Sequence, residues 1–274
     1  MPRPVRLGLV GAGAWGKNYI HTIDRLPEVE LAGTAGRNDW RELIASDLQG
    51  VIVASSASTH AEVAMAAMER DLHVLIEKPL TLGAASARAL AAKAREKHLT
   101  AMVEHTHLFH AGFRKLKSRL PGLGAVRAIH SRAGRIGPFR SDASVLWDWG
   151  SHDVAMCLDL MQAKPLRASS RRMERAQHEG QWGESVQIEL EFPGAVLASL
   201  FVSNILAVKI RRFEVECEGG TLAYDADTYA PEPPLTVAVR EFAANIAAGR
   251  GDTRSIDLGV AVVEVLEAAE PKAE

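Results

Sequence analysis

The first hundred residues alternate between two hydrophobic periods. Residues 5–10 form a short apolar run, and residues 15–26 carry apolar side chains at helical spacing. Residues 29–35 again suit a strand, and Gly50-Val-Ile-Val-Ala54 is the unbroken apolar stretch expected of a strand buried on both faces. Ala, Val and Met recur at helical spacing over 60–70, followed by a strand at 73–76, an Ala-rich helix over 82–97 and another strand at 100–103. Strands alternating with helices imply parallel crossovers, and so a doubly wound sheet.

Beyond about residue 120 the pattern changes. Residues 148–161 read as a helix, but 185–192, 196–202, 213–218 and 221–224 read as strands with no helix between them. Pro193-Gly194 and Gly219-Gly220 punctuate these strands as turns, which argues for antiparallel pairing. Pro231-Glu-Pro-Pro234 then leads into one or two closing helices. The expected architecture is α/β, with a dinucleotide-binding type of domain over 1–120. An α+β domain with an open, mostly antiparallel sheet follows over 121–274, and its last helices are able to pack back on the first domain.

Charge and cysteine content narrow the function classes. The 32 basic and 34 acidic residues nearly cancel, so neither nucleic acid nor an anionic membrane is expected as a partner. Cys157 and Cys217 are too few for a disulfide framework or a zinc cluster. The N-terminus enters an apolar strand without a signal-peptide core, and no apolar run reaches the ~18 residues that span a bilayer. A cytoplasmic location is expected.

Chemistry concentrates in three places. Gly11-Ala12-Gly13-Ala14-Trp15-Gly16 is a G-x-G-x-x-G between a strand and a helix. The first glycine permits the turn, the second lets the backbone approach a pyrophosphate, and the third allows close helix packing at an anion-favouring helix N-terminus. The same pattern alone also suits an ordinary strand–helix turn. An acidic residue about 20 positions later would hold the adenine ribose, but that place is Gly36-Arg37. Arg37 could meet a 2′-phosphate instead, and Asp39 stands close by. NAD(H) is the preferred cofactor and NADP(H) the alternative.

The second place is His73-Val-Leu-Ile-Glu-Lys-Pro79, which puts Glu77 and Lys78 at the carboxyl end of a buried strand, where such sheets bind ligands. The third is Asp148-Trp-Gly-Ser-His152, whose spacing places a carboxylate and an imidazole on one helix face, as general-base catalysis needs. His105-Thr-His107-Leu-Phe-His110 also invites a metal reading. With no cysteine to complete a ligand set, histidines lining a sugar cleft are the better expectation, and no metal is assigned.

Together, the glycine loop, the Glu77-Lys78-Pro79 strand end and the Asp148/His152 helix resemble the glucose-fructose oxidoreductase/inositol dehydrogenase/rhizopine catabolism (Gfo/Idh/MocA) family. The loop Ala54-Ser-Ser-Ala-Ser-Thr-His60 and the stretch Val103-Glu-His-Thr-His-Leu-Phe109 add to the resemblance. It implies a Rossmann domain followed by a sheet domain in a homodimer or homotetramer. Gly11 to Gly16, Gly36, Arg37, Ser55, Ser56, Thr59, His60, Glu77 and Lys78 would line the cofactor. Lys78, Asp148 and His152 would be catalytic, with proton transfer given to His152, polarisation of the reacting oxygen to Lys78, and the reverse division left open. His105, Trp147, Lys209 and Arg211 would join them in holding substrate, and Arg212 extends that basic stretch.

Residues Val145 to Asp153 look most like the nucleotide-sugar branch, which implies oxidation of the 3-hydroxyl of UDP-N-acetylglucosamine or a related sugar for a cell-envelope saccharide. A cyclitol or free sugar is the alternative, and a non-catalytic dinucleotide sensor is the rival of another class. Two departures stand out. The chain between Thr34 and Gly50 is short by what looks like a strand–helix unit, and Glu104 occupies a place where relatives carry a small residue.

Overall fold

The computed structural model describes residues 3–228 and 230–271. It opens with β1 (Val5–Val10), α1 (Gly16–Ile23), β2 (Val29–Ala35), α2 (Trp40–Ile44), β3 (Gly50–Val53), α3 (His60–Glu69), β4 (His73–Glu77), α4 (Ala84–Glu96) and β5 (Ala101–Glu104). The five strands are parallel in the order β2-β1-β3-β4-β5. A full doubly wound sheet follows the order 3-2-1-4-5-6, so this sheet lacks the strand beyond β2. Only the five-residue α2 fills the gap. Leu7, Leu9, Val51 to Val53 and Val74 to Ile76 are all buried, which explains why these strands read as continuous apolar runs.

The chain continues through α5 (Ala111–Arg119), β6 (Val126–Ile136), α6 (Val145–Asp148), α7 (Gly150–Met161), β7 (Arg167–His178), β8 (Gln181–Phe192), β9 (Val196–Ser203), β10 (Ile205–Cys217) and β11 (Gly220–Asp225). It closes with α8 (Pro234–Ala247) and α9 (Arg254–Ala269). The six later strands form one sheet ordered β11-β10-β6-β9-β8-β7, antiparallel except for the β6–β9 pair.

Two of these strands differ from the sequence reading. β6 was not expected, and it lies between β9 and β10 in the sheet. The chain leaves β9 at Ser203, passes the end of β6 through Asn204, and returns as β10. Gly134 makes that crossing possible, because a Cβ there would lie 2.4 Å from the Ser203 carbonyl oxygen. β7, Arg-Ala-Ser-Ser-Arg-Arg-Met-Glu-Arg-Ala-Gln-His, is an edge strand without one buried position, so it has no apolar alternation to read.

Contacts divide the chain into one unit of residues 1–106 with 232–263 and another of 107–231 with 264–274. The first unit therefore ends its leading segment at Thr106 rather than near residue 120, and α8 belongs to it. In the second unit β8 and β9 bury alternate residues, Val186, Ile188, Leu190 and Phe192 with Val196, Ala198, Leu200 and Val202, on the face packed by α6 and α7. The opposite face is more polar than an uncovered apolar sheet. Gln187 and Ser199 hydrogen-bond Glu189, and Arg132 lies over the Phe201 ring. Among the described residues no helix is long and apolar enough to cross a membrane.

Candidate functional site

In the first unit the sheet edge carries the candidate cofactor groups. Gly11 follows β1 at φ +101°, and a Cβ on it would strike the Ala54 carbonyl carbon and the Ser55 nitrogen, both at 2.4 Å. On Gly16 a Cβ would lie 2.0 Å from the Gly11 oxygen. These two glycines are demanded by the fold itself. Gly13 is different, since a Cβ there would meet nothing within 4 Å. Space left open against bare backbone at the positive end of α1 suits an anion that approaches the main chain closely. The residues present therefore fit a dinucleotide pyrophosphate.

The neighbouring loop is tied together by its own polar groups. Ser55 Oγ and Thr59 Oγ1 are 2.7 Å apart, and Thr59 also donates to the Ser56 carbonyl at 2.8 Å. The buried His60 ring reaches the Pro79 carbonyl through Nδ1 at 2.9 Å and the Ser55 carbonyl through Nε2 at 3.0 Å. One imidazole thus links the loop after β3 to the Lys78-Pro79 turn. At the adenosine end, Asp39 accepts the Gly36 amide at 2.7 Å, and Arg37 is exposed.

Glu77 is buried at the end of β4. Its Oε1 accepts from the Trp15 indole N–H and from the Tyr19 hydroxyl, the latter at 2.8 Å. Trp15 therefore fastens the glycine loop to the strand bearing Lys78. Burial pushes the Glu77 carboxyl up, while Lys78 and the two donors pull it down. Glu104 is fully buried and takes a hydrogen bond from Thr106 at 2.6 Å. Burial first, and then the Glu77 charge, push it up to about 8. His105 is also buried; among the described residues neither of its ring nitrogens has a hydrogen-bond partner, and burial followed by Lys78 pushes it down to about 3.

The second unit holds the other predicted group. Asp148 ends α6 and His152 lies in α7, so they sit on two short helices that meet at Trp149 rather than on one. Asp148 is nearly buried, with the Arg140 guanidinium 3.7 Å from its carboxylate. The half-buried His152 ring packs edge-on against His107, centroids 5.0 Å apart. His107 Nδ1 is 2.8 Å from the Tyr224 hydroxyl, and His110 and Phe113 pack on the Tyr224 ring.

Three expected substrate residues are placed differently. Trp147 is buried, with its indole N–H donating to Glu270 at 2.5 Å. Arg211 is buried against Asp153 at 2.7 Å, because its β10 position turns inward. Lys209 and Arg212 are exposed and pair with Asp227 and Glu214. The Lys209, Arg211 and Arg212 stretch is therefore not one basic surface. Tyr19 and Tyr224 were not singled out for roles from sequence, and His107 only as one of the histidines expected to line a sugar cleft. Tyr19 read as an ordinary helix residue, and Tyr224 stands 117 positions from its partner His107.

Two family models match the chain. "Oxidoreductase family, NAD-binding Rossmann fold" covers residues 26–105, and "GFO/IDH/MocA C-terminal domain" covers residues 119–223. UDP-N-acetylglucosamine 3-dehydrogenase of Acidithiobacillus ferrooxidans is 30% identical over 59% of this chain and 56% of that enzyme. Inositol 2-dehydrogenase 4 of Saccharopolyspora erythraea is 27% identical over 82% of this chain and 75% of its own length. The chain spans about half the length of the first curated relatives it matches, 56% and 43%. A crystal structure from Magnetospirillum magnetotacticum MS-1 is 36% identical, with a TM-score of 0.90 over 97% of this chain and 100% of that one. The chain belongs to the GFO/IDH/MocA oxidoreductase family.

Proposed function

We propose that the protein is a dehydrogenase that oxidises a secondary alcohol of a sugar, with NAD(H) preferred over NADP(H). The observation that carries this reading is one sheet edge of the first unit. There a glycine loop open at Gly13 is fastened by Trp15 and Tyr19 to Glu77, next to Lys78. Gly11, Gly13, Gly16, Ser55, Ser56, Thr59 and His60 would hold the dinucleotide, whose nicotinamide supplies a hydride acceptor when bound.

The chain's own groups then handle the proton and the charge. Lys78 would polarise the reacting oxygen, as a cation suits an oxyanion that develops during oxidation. His152 would take the hydroxyl proton, and Asp148, held by Arg140, would orient it. The finer proposal is the 3-hydroxyl of UDP-N-acetylglucosamine or a related UDP-sugar, supported by the Acidithiobacillus relative and by the residues around Trp147 to His152. A cyclitol is favoured instead by the Saccharopolyspora relative. Self-association into a dimer or tetramer and a cytoplasmic location complete the proposal.

The test is absorbance in the reduced-nicotinamide band, with NAD or NADP supplied in parallel to UDP-N-acetylglucosamine, myo-inositol and free sugars. Reduction with NAD and the UDP-sugar supports the full reading, and reduction with inositol alone moves the substrate to cyclitols. Tight cofactor binding with no reduction of any kind would instead make the protein a sensor.

A further inference from the structure

We propose that His107 is a positioning residue for His152, held by Tyr224 as a neutral imidazole so that the reaction's proton falls on His152. The inference rests on the dehydrogenase reading and extends it to how the second unit prepares its proton acceptor.

The Tyr224 side chain is buried, and among the described residues its hydroxyl has one hydrogen-bond partner, His107 Nδ1 at 2.8 Å. A buried hydroxyl has to donate its proton to an acceptor within reach, so the O–H is directed at Nδ1 and His107 carries its own proton on Nε2. A donor placed on the lone pair of a neutral imidazole disfavours the imidazolium. Burial also pushes the Tyr224 phenol up, which keeps it a donor throughout the working range of pH. His110 and Phe113 pack edge-on against the phenol ring, with ring centroids 5.1 and 5.8 Å away.

The His107 and His152 rings lie 5.0 Å apart at 79°, close enough that charge on one opposes charge on the other. Among the described residues, the charged and titratable groups near this cluster include Tyr224, Asp225 and Asp227 around β11, Arg211 on β10, Asp153 on α7, and Asp148 with Arg140. His110, on the same turn as His107, accepts the Gly112 amide through Nδ1 at 3.0 Å, and burial pushes it down. His107 and His110 are thus each engaged by a hydrogen bond at Nδ1, and the proton of the reaction is left to His152. In the oxidation, the hydroxyl proton moves to the His152 ring as the carbinol C–H bond breaks, its electron pair leaving as hydride for the nicotinamide. The C=O double bond forms, and the proton passes from His152 to water.

The test follows histidine titrations by NMR in the full chain with ring nitrogens labelled, without substrate, alongside the pH profile of kcat/KM. His107 is expected to remain the neutral Nε2–H tautomer from about pH 5 to about pH 8 while His152 titrates. Tyr224→Phe should let His107 take up a proton, and lower both the His152 titration and the acid limb of the profile by roughly one pH unit. Adding His107→Gln to Tyr224→Phe should return both to their wild-type positions. The proposal is overturned if His107 titrates like an ordinary histidine in the wild-type chain. It is equally overturned if Tyr224→Phe lowers activity alike at every pH with His152 unmoved. The titrations need no turnover, so failure to turn over any sugar would count against the dehydrogenase reading alone.

Discussion

Glu77 and Glu104 are register partners at the carboxyl ends of β4 and β5, which brings two buried carboxyl groups to the same edge of the parallel sheet. They are not equivalent. Glu77 receives two side-chain donors, from Trp15 and Tyr19, whereas Glu104 receives one, from Thr106. Like charges this close do not both ionise freely; burial pushes both carboxyls up, Glu104 to about 8, while Lys78, Tyr19 and Trp15 pull Glu77 back down.

This division has a consequence for stability. Glu104 holds its proton up to about pH 8 when folded, but ionises near pH 4.3 when unfolded. Its contribution is therefore fully present below the unfolded value and is lost as pH rises through 8. Glu104→Gln keeps the shape of the neutral acid without the ionisation. It is expected to be more stable than wild type at neutral pH by on the order of 2 kcal/mol, with the gap closing toward about pH 4. Thermal unfolding across pH measures this; a variant no more stable than wild type at pH 8 would contradict it.

His105 acts in the opposite direction. It stays neutral when folded down to about pH 3, while the unfolded chain protonates it near 6.5. Stability from this residue is present above the unfolded value and is lost as pH falls toward 3. His105→Phe fills a similar volume with no unpaired ring nitrogens, so its acid unfolding should begin at lower pH than in wild type. Unchanged acid midpoints in the two proteins would show that His105 is solvated.

The glycine loop separates folding from binding. Gly13→Val places its side chain in open space, so its melting temperature should match wild type while NAD binds at least about tenfold more weakly. Gly16→Ala collides with the Gly11 carbonyl, so it should lose stability by about 1–3 kcal/mol as well as binding. Calorimetric titration with NAD, next to thermal melts, distinguishes the two; normal NAD affinity in Gly13→Val would remove the loop from the cofactor site.

Cofactor choice turns on Arg37. Asp39 already accepts the Gly36 amide, which leaves Arg37 as the exposed group able to meet a 2′-phosphate. Arg37→Ala should therefore weaken NADP more than NAD, by about tenfold. Equal loss with both cofactors, in parallel binding titrations, would make Arg37 a bystander.

Much of the first unit is written in local patterns. β1, β3, β4 and β5 are largely buried and read as apolar runs, and the turn that needs Gly11 and Gly16 advertises itself as glycine spacing. What escaped is set by register and by long-range packing. Glu104 stood out in the sequence as unusual, yet its meaning depends on pairing with Glu77 across two strands. Arg211 lies in a basic stretch, and only the inward turn of β10 sends it to Asp153 while Lys209 and Arg212 stay outside. β7 has no fully buried position along its length, so its sequence shows no apolar alternation.

Hydride transfer itself is tested most directly with UDP-N-acetylglucosamine carrying deuterium at carbon 3, incubated with NAD, by mass analysis of the nicotinamide product. Wild type is expected to yield reduced cofactor bearing one deuterium. Lys78→Ala and His152→Ala should form it roughly 10²–10⁴-fold more slowly while still binding NAD. Reduced cofactor without deuterium, or wild-type rates in both variants, would contradict the proposed chemistry.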